Sequence, residues 1–150
     1  MQNLLNKILW DYIAAAVSAG SSIDNDSAIV DTQGYDGVLF VTTITDSVDT
    51  GVATMTVEQN TANSASGMAA LAGAVATATS GANDDLNGKV LMVDVYRPRE
   101  RYLRVNRASA TANIAYGECH AILYKGIKQP VSQASADVAD SAVVTSPAES

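Results

Sequence analysis

The chain has 150 residues and a net charge of −7, which suits one domain with a single core and opposes non-specific nucleic-acid binding, because phosphate repels an acidic surface. A single cysteine, Cys119, excludes an internal disulfide and a multi-cysteine metal site, and no apolar run of roughly 18 residues is present to cross a membrane as a helix. Apolar residues make up 47% but aromatics only 5%, so the core must rest largely on Ala and Val, which bury little area each, and so thin an interior leans on neighbouring subunits.

Residues 1–20 fit two patterns. Leu5, Ile8, Leu9, Tyr12, Ile13 and Ala16 match a helical stripe, whereas residues 10–17 would also enter a sheet before the turn at Gly20-Ser21-Ser22 and Asp24-Asn25-Asp26. The reading taken is an N-terminal strand or arm, extended from about Trp10. A cleaved signal peptide is disfavoured, since Lys7 is the sole early positive charge and Asp11 interrupts the apolar stretch.

From residue 21 to 128 strand signals repeat between turns. Residues 27–32 form a short candidate, Gln33-Gly34-Tyr35-Asp36-Gly37 a turn, and residues 38–45 a β-branched strand. Residues 52–58 alternate, with Ala53, Met55 and Val57 on one face. The run 66–79 is ambiguous, because Ala favours helix while Gly67 and Gly73 interrupt it and its end looks extended. Asn87-Gly88 supplies a tight turn. Residues 89–96 put Leu91, Val93 and Val95 on one face, and residues 101–107 turn Leu103 and Val105 inward. Residues 113–125 alternate small side chains with large ones. Six to eight short strands without helical crossovers predict an all-β fold, an antiparallel sandwich or barrel with extended termini.

Residues 129–150 carry no positive and no aromatic side chain. Low complexity of this kind builds no core, and the plain alternative is a disordered tail. The reading taken is an extended C-terminal arm that offers Val138, Val143 and Val144 to a partner's sheet edge or groove.

Catalytic chemistry is hard to find. Cys119 and His120 are adjacent on a strand and diverge to opposite faces, so they make no nucleophile pair. Glu118 and His120 share a face but fall short of a metal site. Asp24-Asn25-Asp26 starts like a calcium loop, yet Ile29 and Tyr35 stand where Gly and Glu are required. No catalytic residue, metal ligand or cofactor is assigned.

One dense constellation stands out: V-Y-R-P-R-E-R-Y-L-R-V, residues 95–105, with Arg97, Arg99, Arg101 and Arg104, and Arg107 just beyond. Pro98 breaks the ladder and puts Arg97 and Arg99 at a corner. Arginine binds carboxylates through a planar fork and stacks on tyrosine. The segment is therefore read as a contact for an acidic partner surface, against the alternative of an intrachain network with Asp94, Glu100 and the acidic turns.

Together with G-Y-D-G-V-L-F-V at residues 34–41 and the ending K-Q-P…V-V-T-S-P-A-E, this segment resembles short proteins encoded among the head genes of tailed phages, the capsid decoration or cement proteins. The resemblance spans residues 18–150, with residues 1–17 less typical, and it carries no binding residues across. It implies a structural virion protein on the capsid surface, commonly a homotrimer, that binds the major capsid protein and itself. Other virion parts (a head fibre base, a tail or shell subunit) are the alternative. A carbohydrate-binding sandwich is a third, for which Trp10 and six tyrosines are a sparse supply of platforms.

Overall fold

The computed structural model describes residues 3–146, and among them finds ten strands and no helix. The ends of the two expected arms, residues 1–2 and 147–150, lie outside the described residues. The strands are β1 (Ile8–Ala14), β2 (Val17–Gly20), β3 (Asp24–Asp26), β4 (Val30–Asp31), β5 (Gly37–Ser47), β6 (Val52–Asn60), β7 (Ala69–Thr79), β8 (Val90–Tyr96), β9 (Tyr102–Ala110) and β10 (Ile114–Tyr124).

They form two antiparallel sheets of five strands, packed as a sandwich rather than closed as a barrel. Sheet A runs β1-β10-β5-β8, with β2 also on β10; sheet B runs β3-β9-β6-β7, with β4 also on β9. Each sheet thus has one edge made of two short strands in tandem. Counting each tandem once leaves eight strands in the orders first-eighth-third-sixth and second-seventh-fourth-fifth. That is the jelly-roll topology.

Alternation explains the interior. Phe40 and Ile44 from β5, Met55 and Val57 from β6, Leu91, Val93 and Val95 from β8, and Leu103 and Val105 from β9 meet in one core, each large side chain contributing about 1.5–3 kcal/mol when fully buried. Residues 69–79 are a strand despite their alanine content. Pairing of Val75 to Thr56 and of Ala78 to Ala53 decides the matter, so tertiary context overrides propensity. Gly73, at φ +78°, sits in the bulge that shifts the β6–β7 register.

The simple alternation expected for β10 fails midway. Ile114 and Tyr116 point inward, but after a register shift between Tyr116 and Cys119 the inward residues become Cys119, Ala121 and Leu123. The bulge flips the face, leaving His120, Ile122 and Tyr124 on the outside of sheet A.

Candidate interaction surfaces

The five arginines of the dense segment go to three different places. Arg101 holds Asp31 through both carboxylate oxygens at 2.8 Å, stitching β4 to β9, and this hydrogen-bonded contact lowers the Asp31 pKa. Arg104 bridges Glu58 (2.5 Å) and Asp26 (3.1 Å) on the outer face of sheet B. Carboxylates on strands β3, β4 and β6 therefore take up these two guanidinium groups within the chain, rather than Asp94 or Glu100. Arg97 and Arg99 lie exposed at the β8–β9 corner with no carboxylate partner among the described residues. Arg97, held at φ 51°, covers the Tyr96 ring at 5.1 Å, and its N–H donates to Asp36 O (2.7 Å).

Arg107 is not a surface residue at all. It is 0% exposed and crosses the interior from sheet B to sheet A. Nη1 donates to Gly117 O (2.5 Å) and Thr42 Oγ1 (3.1 Å), and Nη2 to Ala15 O (2.7 Å) and Asn25 Oδ1 (2.8 Å). Nε also donates to Asn25 Oδ1, at 3.3 Å. Ala15 sits where β1 gives way to β2 and Gly117 in the β10 bulge, so the guanidinium joins the break in the edge strand to β3, β5 and β10. Burial lowers its pKa, and the neutral oxygens around it replace the lost water. Tyr116 makes the reverse crossing: its hydroxyl donates to Ala108 O (2.6 Å) and accepts from Thr54 N (3.0 Å), and burial pushes the phenol up to about 12. Period two predicts the inward position of Arg107 from Leu103 and Val105; its charge hid that signal.

Outside the core, the two sheets present unlike faces. Across sheet A, register aligns Trp10, Ile122, Leu39 and Asp94 in one row and Tyr12, His120, Val41 and Met92 in the next. His120 lies between two rings, 5.2 Å from Trp10 and 5.6 Å from Tyr12. Met92, Tyr96 and Val90 are about half exposed. Beside the first row a cleft of about 560 Å³ is lined by Leu4, Ile8, Trp10, Leu39, Ile122 and Tyr124, together with Lys7 and Lys125. Tyr124 lies flat over Gly37, where any Cβ would overlap its hydroxyl, and that hydroxyl donates to Asp94 Oδ1 (2.6 Å). Burial first, and then Asp94, raise the Tyr124 pKa. Sheet B instead turns outward Asp24, Asp26, Asn106, Arg104, Glu58, Thr54 and Thr56. Asn106 Nδ2 donates to both Asp24 (2.5 Å) and Asp26 (2.9 Å).

Residues 131–137 of the arm lie along the chain's own β1 and the segment before it. Val131 N donates to Asn6 O (2.8 Å). Gln133 Oε1 accepts from Trp10 N (2.9 Å) while Nε2 donates to Ile8 O (2.7 Å), and Asp137 Oδ1 accepts from Tyr12 N (3.2 Å). Val138 is partly covered; Val143 and Val144 are exposed.

Cys119 is fully buried, burial pushing its thiol up to about 11, and His120 stands on the opposite side of the strand. No family model and no curated protein matches this chain.

Proposed function

We propose that the protein is a structural, non-enzymatic subunit that binds the outside of an assembled phage capsid and reinforces it through contacts between subunits. The observation that carries this reading is the apolar, aromatic outer face of sheet A, set beside a corner where Arg97 and Arg99 have no carboxylate partner among the described residues. The face supplies desolvated contact area with a neighbouring copy, and the corner supplies charge-assisted bonds to acidic groups of the major capsid protein. Occupancy at many equivalent sites multiplies modest single contacts. A homotrimer on the capsid surface is the arrangement the sequence resemblance favours. The jelly roll agrees with a virion role by analogy of fold alone, because the same topology also serves lectins and cupins.

Cryo-electron microscopy of virions tests the reading: density for this jelly roll is expected on the shell exterior at regular positions. Absence from the exterior would overturn it, and location with copy number would identify a fibre base, tail or shell subunit instead. A carbohydrate-binding role draws support from one observation, the Trp10–His120–Tyr12 cluster on an accessible face, since sugars stack on aromatic rings. Binding on a glycan array that Trp10→Ala abolishes would favour it.

A further inference from the structure

β1 forms one edge of sheet A, with β10 on its inner side and β8 at the opposite edge. Natural edges are usually blunted by charges, proline or bulges against pairing with another chain. The residues whose backbone groups face outward here, Ile8, Trp10 and Tyr12, carry no charge. Protection comes from the arm, and it comes through side chains. The Gln133 carboxamide takes the place of a peptide unit, accepting from Trp10 N–H and donating to Ile8 C=O, two positions that a neighbouring strand would bridge. Asp137 then takes the Tyr12 N–H. The bonds are few, no ladder forms between residues 131–146 and β1, and Asp137 is brought close enough to Asp11 to help raise its pKa, after burial. This like-charge contact works against closure near neutral pH.

We infer that residues 131–138 are a removable guard over a strand-docking edge, and that the partner admitted when the guard lifts is β1 of a second copy. The edge is self-complementary. An antiparallel second β1 with Trp10 opposite Trp10 sets Ile8 against Tyr12 in both directions, each pair exchanging two N–H···O bonds. Such a contact is two-fold and isologous. It replaces side-chain substitutes with a regular ladder and joins two sheet A faces into one continuous apolar surface. The register shift between Tyr12 and Ala14 ends the ladder and so fixes its alignment.

The test uses the full chain carrying Gln133→Ala and Asp137→Ala, read by amide hydrogen exchange and sedimentation over a range of protein concentrations, without capsids. At low concentration the Trp10 and Tyr12 amides should exchange about tenfold faster than in the parent, the loss of a net hydrogen bond each. At high concentration both should regain protection while the mean mass doubles relative to the parent. Adding Tyr12→Lys, which charges the edge, should abolish that second step and leave the core amides protected. Amides protected as in the parent at every concentration would show that the arm guards nothing. Amides left open with no gain in mass would show that the edge takes no second copy. Either result overturns the inference without touching attachment to a capsid, which is read separately on virions.

Discussion

The two outer faces of this sandwich belong to sheets of five strands each, yet they carry different kinds of side chain. Sheet B follows the rule for a half-buried antiparallel sheet, apolar inward and polar outward, and its outward carboxylates are matched within the chain by Arg104 and Asn106. Sheet A puts apolar residues on both sides of β5, β8 and the second half of β10, with Thr43, Thr45 and Asp94 among the outward ones. The polar face closes its interactions within the chain, whereas the apolar face leaves large side chains such as Met92 and Tyr96 about half exposed.

The contrast presumes a common interior that holds both faces rigid, and the largest test falls there. Arg107→Met removes the donors for Ala15 O, Gly117 O, Thr42 and Asn25 at once. About 3–5 kcal/mol of unfolding free energy should be lost, measured by denaturant titration, because buried acceptors are left unpaired. A loss under about 1 kcal/mol would mean that water or repacking takes over the role. Next comes the polar face. Arg104→Ala should cost about 1–2 kcal/mol, since its side chain is mostly covered and spans two carboxylates, while association stays unchanged. Smaller again, Arg97→Ala and Arg99→Ala should alter stability by less than about 0.5 kcal/mol but weaken capsid attachment, most clearly at low salt where exposed charges are least screened. Unchanged occupancy would remove the corner from the contact.

The smallest effect concerns Asp11. Its folded-state pKa is raised, by burial and then by Asp137, so its contribution is present below the unfolded value and is lost as pH rises through the folded one. Asp11→Asn should therefore slow exchange of the Tyr12 amide at neutral pH, with the gap from the parent closing under acid conditions. An equal gap across the whole range would exclude the charge as the cause.

Much of the architecture was legible in the chain. Val-Ala-Thr-Met-Thr-Val and Leu-Met-Val-Asp-Val alternate, so β6 and β8 show which residues turn inward before any coordinates. Two things escaped that reading. Alanine-rich β7 is extended only because β6 pairs with it, a long-range term that local propensity does not contain. β10 changes face at a bulge, so the pattern beyond Gly117 reverses and the outward position of Ile122 and Tyr124 went unseen. The arginine segment shows the same limit. Clustering in sequence suggested a single patch, but strand periodicity sends Arg107 inward, and Arg101 and Arg104 meet acidic residues tens of positions away. The tail's polarity marked it as outside the core; that its glutamine and aspartate lie on β1 follows from where the last strand ends.

One paired measurement bears most directly on the claim that the apolar face of sheet A is the adhesive side. Ile122→Glu and Thr56→Glu each place one carboxylate at the middle of an outer face, on sheets A and B respectively. Occupancy on assembled capsids, counted from micrographs of reconstituted shells, should fall at least about tenfold for Ile122→Glu, as expected when a charge is forced into a desolvated contact, and should stay near the parent value for Thr56→Glu. Equal occupancy for the two folded variants, or a loss confined to Thr56→Glu, would contradict the assignment.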